Sequence, residues 1–283
     1  MYDGLTDPLG QSQVLSYLKH LSNNYSFHVI GYEKPETFKS GSDRINEEIE
    51  GLDIKWLPIK YHKNPPIIST IYDLYKGHKI ALKNGHFHNY DLIHCRSAAI
   101  GTVALSLKKI FGAKLLFDMR GWWADEKKDS GAWNSIIYQP IYSYFKNLEK
   151  ELFKHCHHAI SLTTAGYREI INQNLKASDQ VSVIPTCVDF EIFKPFDPQI
   201  RQMVREELQI ELDDKVILYS GSLGGNYNID TIIDTYKASK ELKYDSKILI
   251  LSHTDPSYIR EELKKYNISI NDIRIKGCNY DEV

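Results

Sequence analysis

"PTCVDFEIFKPFDP", residues 185–198, breaks a chain that otherwise alternates short apolar runs with segments of helical period. Its prolines and acidic residues suit neither a strand ladder nor a helix interior, so the stretch reads as a connector. Before it, "FHVIGYE" (27–33), "DIKWLPI" (53–59), "YDLIHCR" (90–96), "KLLFDMR" (114–120), "HAISLTT" (158–164) and "VSVIPT" (181–186) read as strands. Several are too continuously apolar to face water on one side, and most are separated by helical stretches, the pattern of a parallel sheet covered by helices. After it the pattern restarts: "KVILYSGS" (215–222), a helix through Ile229 to Ser239, "KILILSH" (247–253), a helix through Tyr258 to Lys265, then "DIRIKG" (272–277). The chain therefore reads as α/β with two doubly wound parallel-sheet domains, residues 1–190 and 199–283.

Composition sets outer bounds. At 283 residues the chain is long enough for two cores, and a formal charge of -2 advertises no nucleic-acid partner. The cysteines, Cys95, Cys156, Cys187 and Cys278, have no CxxC spacing, so no zinc or redox site is expected and a reducing, cytoplasmic setting fits. No signal peptide is visible, nor an apolar run near the ~20 residues of a membrane span.

In open parallel sheets ligands bind beyond the carboxyl ends of the strands. The polar residues gather there: Arg96 and Ser97; Asp118, Arg120 and Gly121; Ser161, Thr163 and Thr164; and in the second half Ser220, Gly221 and Ser222, His253 and Thr254, and Gly277. Arg96, Asp118 and Arg120 are the candidate catalytic residues. At the start of the chain, "GLTDPLG" (4–10) runs into Val14, Leu15, Leu18 and Leu21 at helical spacing. The loop is expected to end near Gly10, where helix amides beside Gln11 and Ser12 suit a phosphate or sugar hydroxyl; a plain capping turn is the alternative.

With these residues in view, "DPLGQSQVL", "YDLIHCRS", "FDMRGWWADE", "SLTTAGYREI", "VIPTCVDFEIFKP" and "LYSGSLGGNYNID", in that order, resemble a family-four glycosyltransferase of the GT-B fold. The resemblance runs along nearly the whole chain, and its more specific part is Pro185, Val188 and Asp189 followed by the strand, GSL and helix. It implies two Rossmann-like domains facing a cleft, the second incomplete. A UDP- or GDP-linked sugar donor is held mainly by the second domain and a glycan or lipid-linked acceptor by the first. Transfer proceeds with retention, without metal or further cofactor, in the cytoplasm, with peripheral membrane contact as an option. Carried over by position, Gly10 and Gln11 reach the donor phosphate or transferred sugar, Gly221 and Ser222 begin the diphosphate site, Gly277 and Cys278 form the turn against the base, and His253 lies beside it.

The sequence departs from the family pattern in three places. Arg96 stands where many relatives carry histidine, and His94, two residues earlier, falls on the strand, where burial is expected. No basic residue follows "GSL", where Asn226, Tyr227 and Asn228 stand instead. The family's paired glutamates would fall beyond Val283, so little transferase activity is expected of these 283 residues alone. A strand is also expected before Tyr2, between "FHVIGYE" and "YDLIHCR"; without it those two strands should not pair directly.

Other features carry competing readings. Trp122 and Trp123, adjacent in a loop, are not expected to share one core, so one is read as stacking on an acceptor sugar or as a lid. "HCHH" (155–158) reads as a helix end before a strand rather than as a metal site. The helix with Tyr142, Tyr144, Phe145, Lys146, Lys150 and Lys154 reads as packed on the sheet or as resting on a membrane. A nicotinamide-dependent oxidoreductase or epimerase is the alternative class, with Glu33 at a strand end gripping a ribose, although no GxGxxG is present. An inactive transferase fragment is the third reading.

Overall fold

The computed structural model describes residues 1–190, 193, 196–221, 223, 229–252 and 254–277, the side chains of 86–88 apart. The chain divides into two compact units, Met1–Cys187 and Val188–Val283. In the first, β1 (Phe27–Glu33) pairs in parallel with β2 (Ile54–Lys60), and β3 (Leu92–Arg96), β4 (Lys114–Met119), β5 (His158–Ser161) and β6 (Val181–Val183) form a second parallel sheet in that order. In the other unit β7 (Lys215–Ser220), β8 (Ser246–Leu251) and β9 (Ile273–Lys276) form a third parallel sheet. Every strand expected from the apolar runs is present.

Helices supply the crossovers that parallel strands require. They are α1 (Pro8–Gly10), continued through a π-helical turn over Gln11–Leu15 into α2 (Ser16–Leu21), then α3 (Pro35–Ile49), α4 (Ile68–His88), α5 (Gly101–Phe111), α6 (Trp123–Asp129), α7 (Gln139–His155) and α8 (Thr164–Asn172). The second unit adds α9 (Pro198–Glu207), α10 (Ile229–Glu241) and α11 (Pro256–Lys264). Local chemistry marks their ends. The hydroxyl of Thr163 accepts from Gly166 N, and Asp197 and Asp255 accept from the first-turn amides of α9 and α11. Gly112 ends α5 at φ 68°, a conformation glycine adopts at no steric cost.

Each unit has a core of its own. Cys95, Leu115, Phe117, Leu152, Phe153, Ala159 and Ile170 close around β3–β6 of the first unit, and Leu5, Leu15, Val29, Ile45 and Ile54 form a satellite beneath β1. Ile232, Ile233, Ile248, Ile250, Ile259 and Leu263 fill the second. Burial pushes the Cys95 thiol up to about 12, which leaves it protonated and inert at neutral pH.

Three local expectations are corrected. The first helix starts at Pro8, so Gly10 is its third residue rather than the end of a loop. His94 is exposed, as is Leu92: the two are alternate residues of β3 and share the face of the strand left to solvent. Trp122 and Trp123 do pack against one core: α6 begins at Trp123, and the two indoles reach different turns of α7, Trp122 against Phe153 and Trp123 against Phe145, with Trp133 of the preceding loop beside Trp123. Among the described residues no ladder joins β1 to β3. Residues 1–3 bond to both, through the Met1 amine to Ile30 O (2.9 Å) and Arg96 Nη1 to Asp3 Oδ2 (3.1 Å).

Candidate functional site

The carboxyl ends of β3, β4 and β5 bring the first-unit candidates together. Arg96, the last residue of β3, is in register with Asp118 of β4, and Arg120 follows β4 directly. Both guanidiniums donate to a single oxygen, Gln13 Oε1, at 2.7 Å from Arg96 and 2.6 Å from Arg120. Two like charges can share one acceptor only if anions stand close by. Asp3 takes the other arm of Arg96, and Asp118 lies 3.6 Å from Arg120 Nη1 and 3.4 Å from His94 Nε2. Burial, followed by repulsion from Arg120, lowers the Arg96 pKa, yet a guanidinium remains charged at neutral pH. Burial pushes the Asp118 carboxyl up, but the hydrogen bond and charge of His94 and the charges of Arg120 and Arg96 outweigh it and hold the pKa below the ordinary value. Two buried polar atoms, Arg96 Nε and Asp118 Oδ1, have no hydrogen-bond partner among the described residues. Buried polar atoms without partners are rare in native proteins, and sites that await a ligand are one place they occur.

Beside this cluster opens a pocket of about 430 Å³ lined by Met119, Arg120, Gly121, Trp122, Ser161, Leu162, Thr163, Ala165, Gly166 and Glu169. The exposed carboxylate of Glu126 lies against Gly121, so a side chain there would have to displace it. Trp122 forms one wall, and Lys146 Nζ sits 4.7 Å over its ring. Lys146 is itself held by Asp125 and Glu149, and Tyr142 also bonds Asp125, so this face of α7 is committed to packing. The "HCHH" histidines likewise have structural partners: His155 meets Glu151, His157 Nδ1 accepts from Leu115 N, and His158 pairs with Ser182.

The opening loop serves a purpose the sequence did not disclose. Glu33 is 2% exposed, and its carboxylate accepts from Leu5 N (2.8 Å), Thr6 N (3.1 Å), Thr6 Oγ1 (2.6 Å) and Trp56 Nε1 (3.2 Å). A side chain on Gly4 would collide with that carboxylate, and one on Gly10 would collide with the Gly4 carbonyl. The glycines of "GLTDPLG" are thus required by close approach. Gln11 is also engaged: it donates to Thr6 O (3.1 Å) and accepts from Arg44. With its oxygens occupied, Glu33 has none to offer a ribose, which removes the support for a nicotinamide enzyme. Gln13, by contrast, was missed. Nothing in "GQSQVL" marks it over Gln11; the π-helical turn alone carries it to the arginines.

In the second unit Gly221, Thr254 and Gly277 follow the adjacent strands β7, β8 and β9. Gly221, at φ 143°, donates its amide to Leu251 O (3.0 Å), so that donor is spent on the ladder instead of facing a phosphate. Thr254 Oγ1 accepts from Leu223 N (3.1 Å) and fastens the loop after β7 to the loop after β8. Gly277 is exposed, and a side chain there would meet, among the described residues, only Ser252 O at an ordinary 3.7 Å. Ser222, His253 and Cys278, with Asn226, Tyr227 and Asn228, lie outside the described residues.

Parallel Rossmann-like sheets in two units, the first with a polar cluster at its strands' carboxyl ends, place the chain in the class of GT-B glycosyltransferase folds. Solved structures agree. Anabaena HepE (Alr3699) in complex with UDP and glucose matches with a TM-score of 0.63 at 13% identity, over 99% of this chain and 68% of that one. A glycosyltransferase from Rickettsia africae matches at 0.58 and 16%, over 94% and 64% of the chains, and sucrose-phosphate synthase from Thermosynechococcus elongatus at 0.59 and 14%, over 92% and 72%. The family model described as Glycosyltransferase Family 4 matches residues 11–192, and the chain belongs to that family. No curated protein matches it in sequence.

Proposed function

We propose that this chain takes part in moving a sugar from a uridine or guanosine diphospho-sugar to a glycan or lipid-linked acceptor, with retention of configuration and without a metal, on the cytoplasmic side. The observation that carries the reading is the Arg96–Gln13–Arg120 cluster beside its pocket at the strand ends of the first unit. As the bond from the anomeric carbon to the diphosphate breaks, negative charge grows on the leaving group and positive charge on the sugar. Fixed guanidiniums answer the first and Asp118 the second, while acceptor hydroxyl and leaving phosphate exchange a proton on one face of the ring, so no protein nucleophile is needed. Family membership supports the reaction class, and the UDP and glucose bound by HepE support the donor class. The loops after β7, β8 and β9 are proposed as the donor side, and Trp122, at the pocket wall, as a face for an acceptor sugar.

Calorimetric titration with UDP-glucose, GDP-mannose, UDP and NAD tests the reading. Saturable binding of one diphospho-nucleotide or its sugar, and none of NAD, is the expected outcome. Binding of NAD alone, or of no nucleotide, overturns it.

A further inference from the structure

Helix α4 is built inside out. Its buried positions, Ser69, Asp73, Gly77, Ala81 and Gly85, recur every fourth residue and are small or polar. Gly77 and Gly85 let the helix press against Tyr32 and Phe111, and Asp73 is bonded to His62. The bulky apolar residues of its start, Ile67, Ile68, Ile71, Tyr72 and Tyr75, face water instead, with Ile68 66%, Ile71 62% and Tyr75 60% exposed. A surface helix ordinarily buries its apolar stripe, and a contiguous exposed patch of this kind marks an interaction surface.

Charge selects the partner. Residues 60–83 carry Lys60, Lys63, Lys76, Lys79 and Lys83 against a single acid, Asp73, which is fully buried, in a chain whose net charge is -2. Lys76 lies 4.7 Å over the Tyr72 ring and Lys79 5.9 Å over that of Tyr75, so cations flank the apolar face. A second copy docked symmetrically on this face would set lysines against lysines. An anionic lipid surface instead takes isoleucines into its acyl boundary, tyrosines at headgroup level and lysines against its phosphates. Position agrees as well. Helix α4 follows β2 and starts at that strand's carboxyl end, as Arg96, Asp118 and Arg120 stand at the carboxyl ends of β3 and β4. Tyr2 bonds Thr70 in the first turn of α4, and its neighbour Asp3 bonds Arg96.

We infer that the first turns of α4 form a docking face for an anionic membrane surface. The inference stands apart from the transferase reading, because membrane binding requires no turnover. Co-sedimentation of the 283-residue chain with phosphatidylcholine vesicles, with and without phosphatidylglycerol at about one-third of the lipid, tests it. Binding to the anionic vesicles, weaker by about tenfold or more on the neutral ones and falling with added salt, is expected. Ile68→Glu/Ile71→Glu/Tyr75→Glu should abolish it while keeping the wild-type circular dichroism and thermal transition, and Ile270→Glu, at an equally exposed isoleucine of the second unit (65%), should leave it intact. Failure of the folded chain to bind anionic vesicles, or full binding by the triple variant, overturns the inference. So does a triple variant that alters only self-association, which would assign the face to a second copy.

Discussion

Asp118 is held between His94, Arg120 and Arg96, and its pKa in the folded chain lies below the ordinary 3.8. A carboxylate with a depressed folded pKa contributes stability that is fully present above its unfolded value and is lost as pH falls through the folded one. Asp118→Asn keeps the shape and removes the charge. Urea unfolding at pH 7 should show the variant less stable by about 1–3 kcal/mol, the usual cost of disturbing a buried hydrogen-bonded group. The gap should begin to narrow as pH drops below about 3.8, where the unfolded chain takes up the proton, and close once pH has passed the lower folded value, where the native carboxylate is itself protonated. A gap constant from pH 7 to pH 3 would show that the charge of Asp118 contributes nothing. At this scale the residue types at the strand ends were legible, since Arg96, Asp118 and Arg120 were all singled out. Their common partner Gln13 was not, because a glutamine in a polar helix start carries no signal until the backbone around it is known.

At the scale of elements, α4 shows how a helix can satisfy its period and still mislead. Leu74 and Ile80 pack against the core, yet the helix's fully buried positions include glycine and alanine, while Ile68, Ile71 and Tyr75 stay outside. The reason is distance: Gly77 meets the Tyr32 hydroxyl so closely that any side chain there must push one element off the other. Gly77→Val should therefore destabilise the chain by about 1–3 kcal/mol through overpacking, although valine is the more apolar residue. Ile71→Ser, on the outer face, should change stability by less than ~0.5 kcal/mol. Paired thermal or urea unfolding of the two variants checks this, and the opposite ranking would mean that the helix is turned about its axis. The helix with Tyr142 and Lys146, which also admitted a membrane-facing reading, spends those side chains on Asp125 and Glu149 within the fold.

At the scale of the whole molecule, the two units bury separate clusters: Phe117, Leu152 and Phe153 among the central residues of one, Ile233, Ile248 and Ile250 of the other. A unit of 187 residues with its own core is large enough to be stable alone. Met1–Cys187 expressed by itself should keep a cooperative thermal transition and the circular dichroism of a mixed α/β protein. Absence of any transition would show that its core depends on residues 188–283. Global charge is the coarser guide at this scale: a net charge of -2 conceals a segment, 60–83, whose exposed charges are all positive.

The sequence by itself determined the order of the strands, the parallel-sheet class and the family. These depend on periodicity, breaker residues and the order of short motifs, all of which are local in the chain. Tertiary structure alone decided what the conspicuous residues do. Glu33, which sits where a cofactor-gripping acid is expected, instead gathers the amides of Leu5 and Thr6 and the Trp56 indole. Gly10 makes room for the Gly4 carbonyl, both tryptophans share one core, and the Gly221 amide belongs to a ladder. Each of these outcomes depends on partners brought together by folding from distant parts of the chain or by the exact path of a tight turn. A donor's role is set by which acceptor reaches it first, and the sequence pattern lists donors without distances.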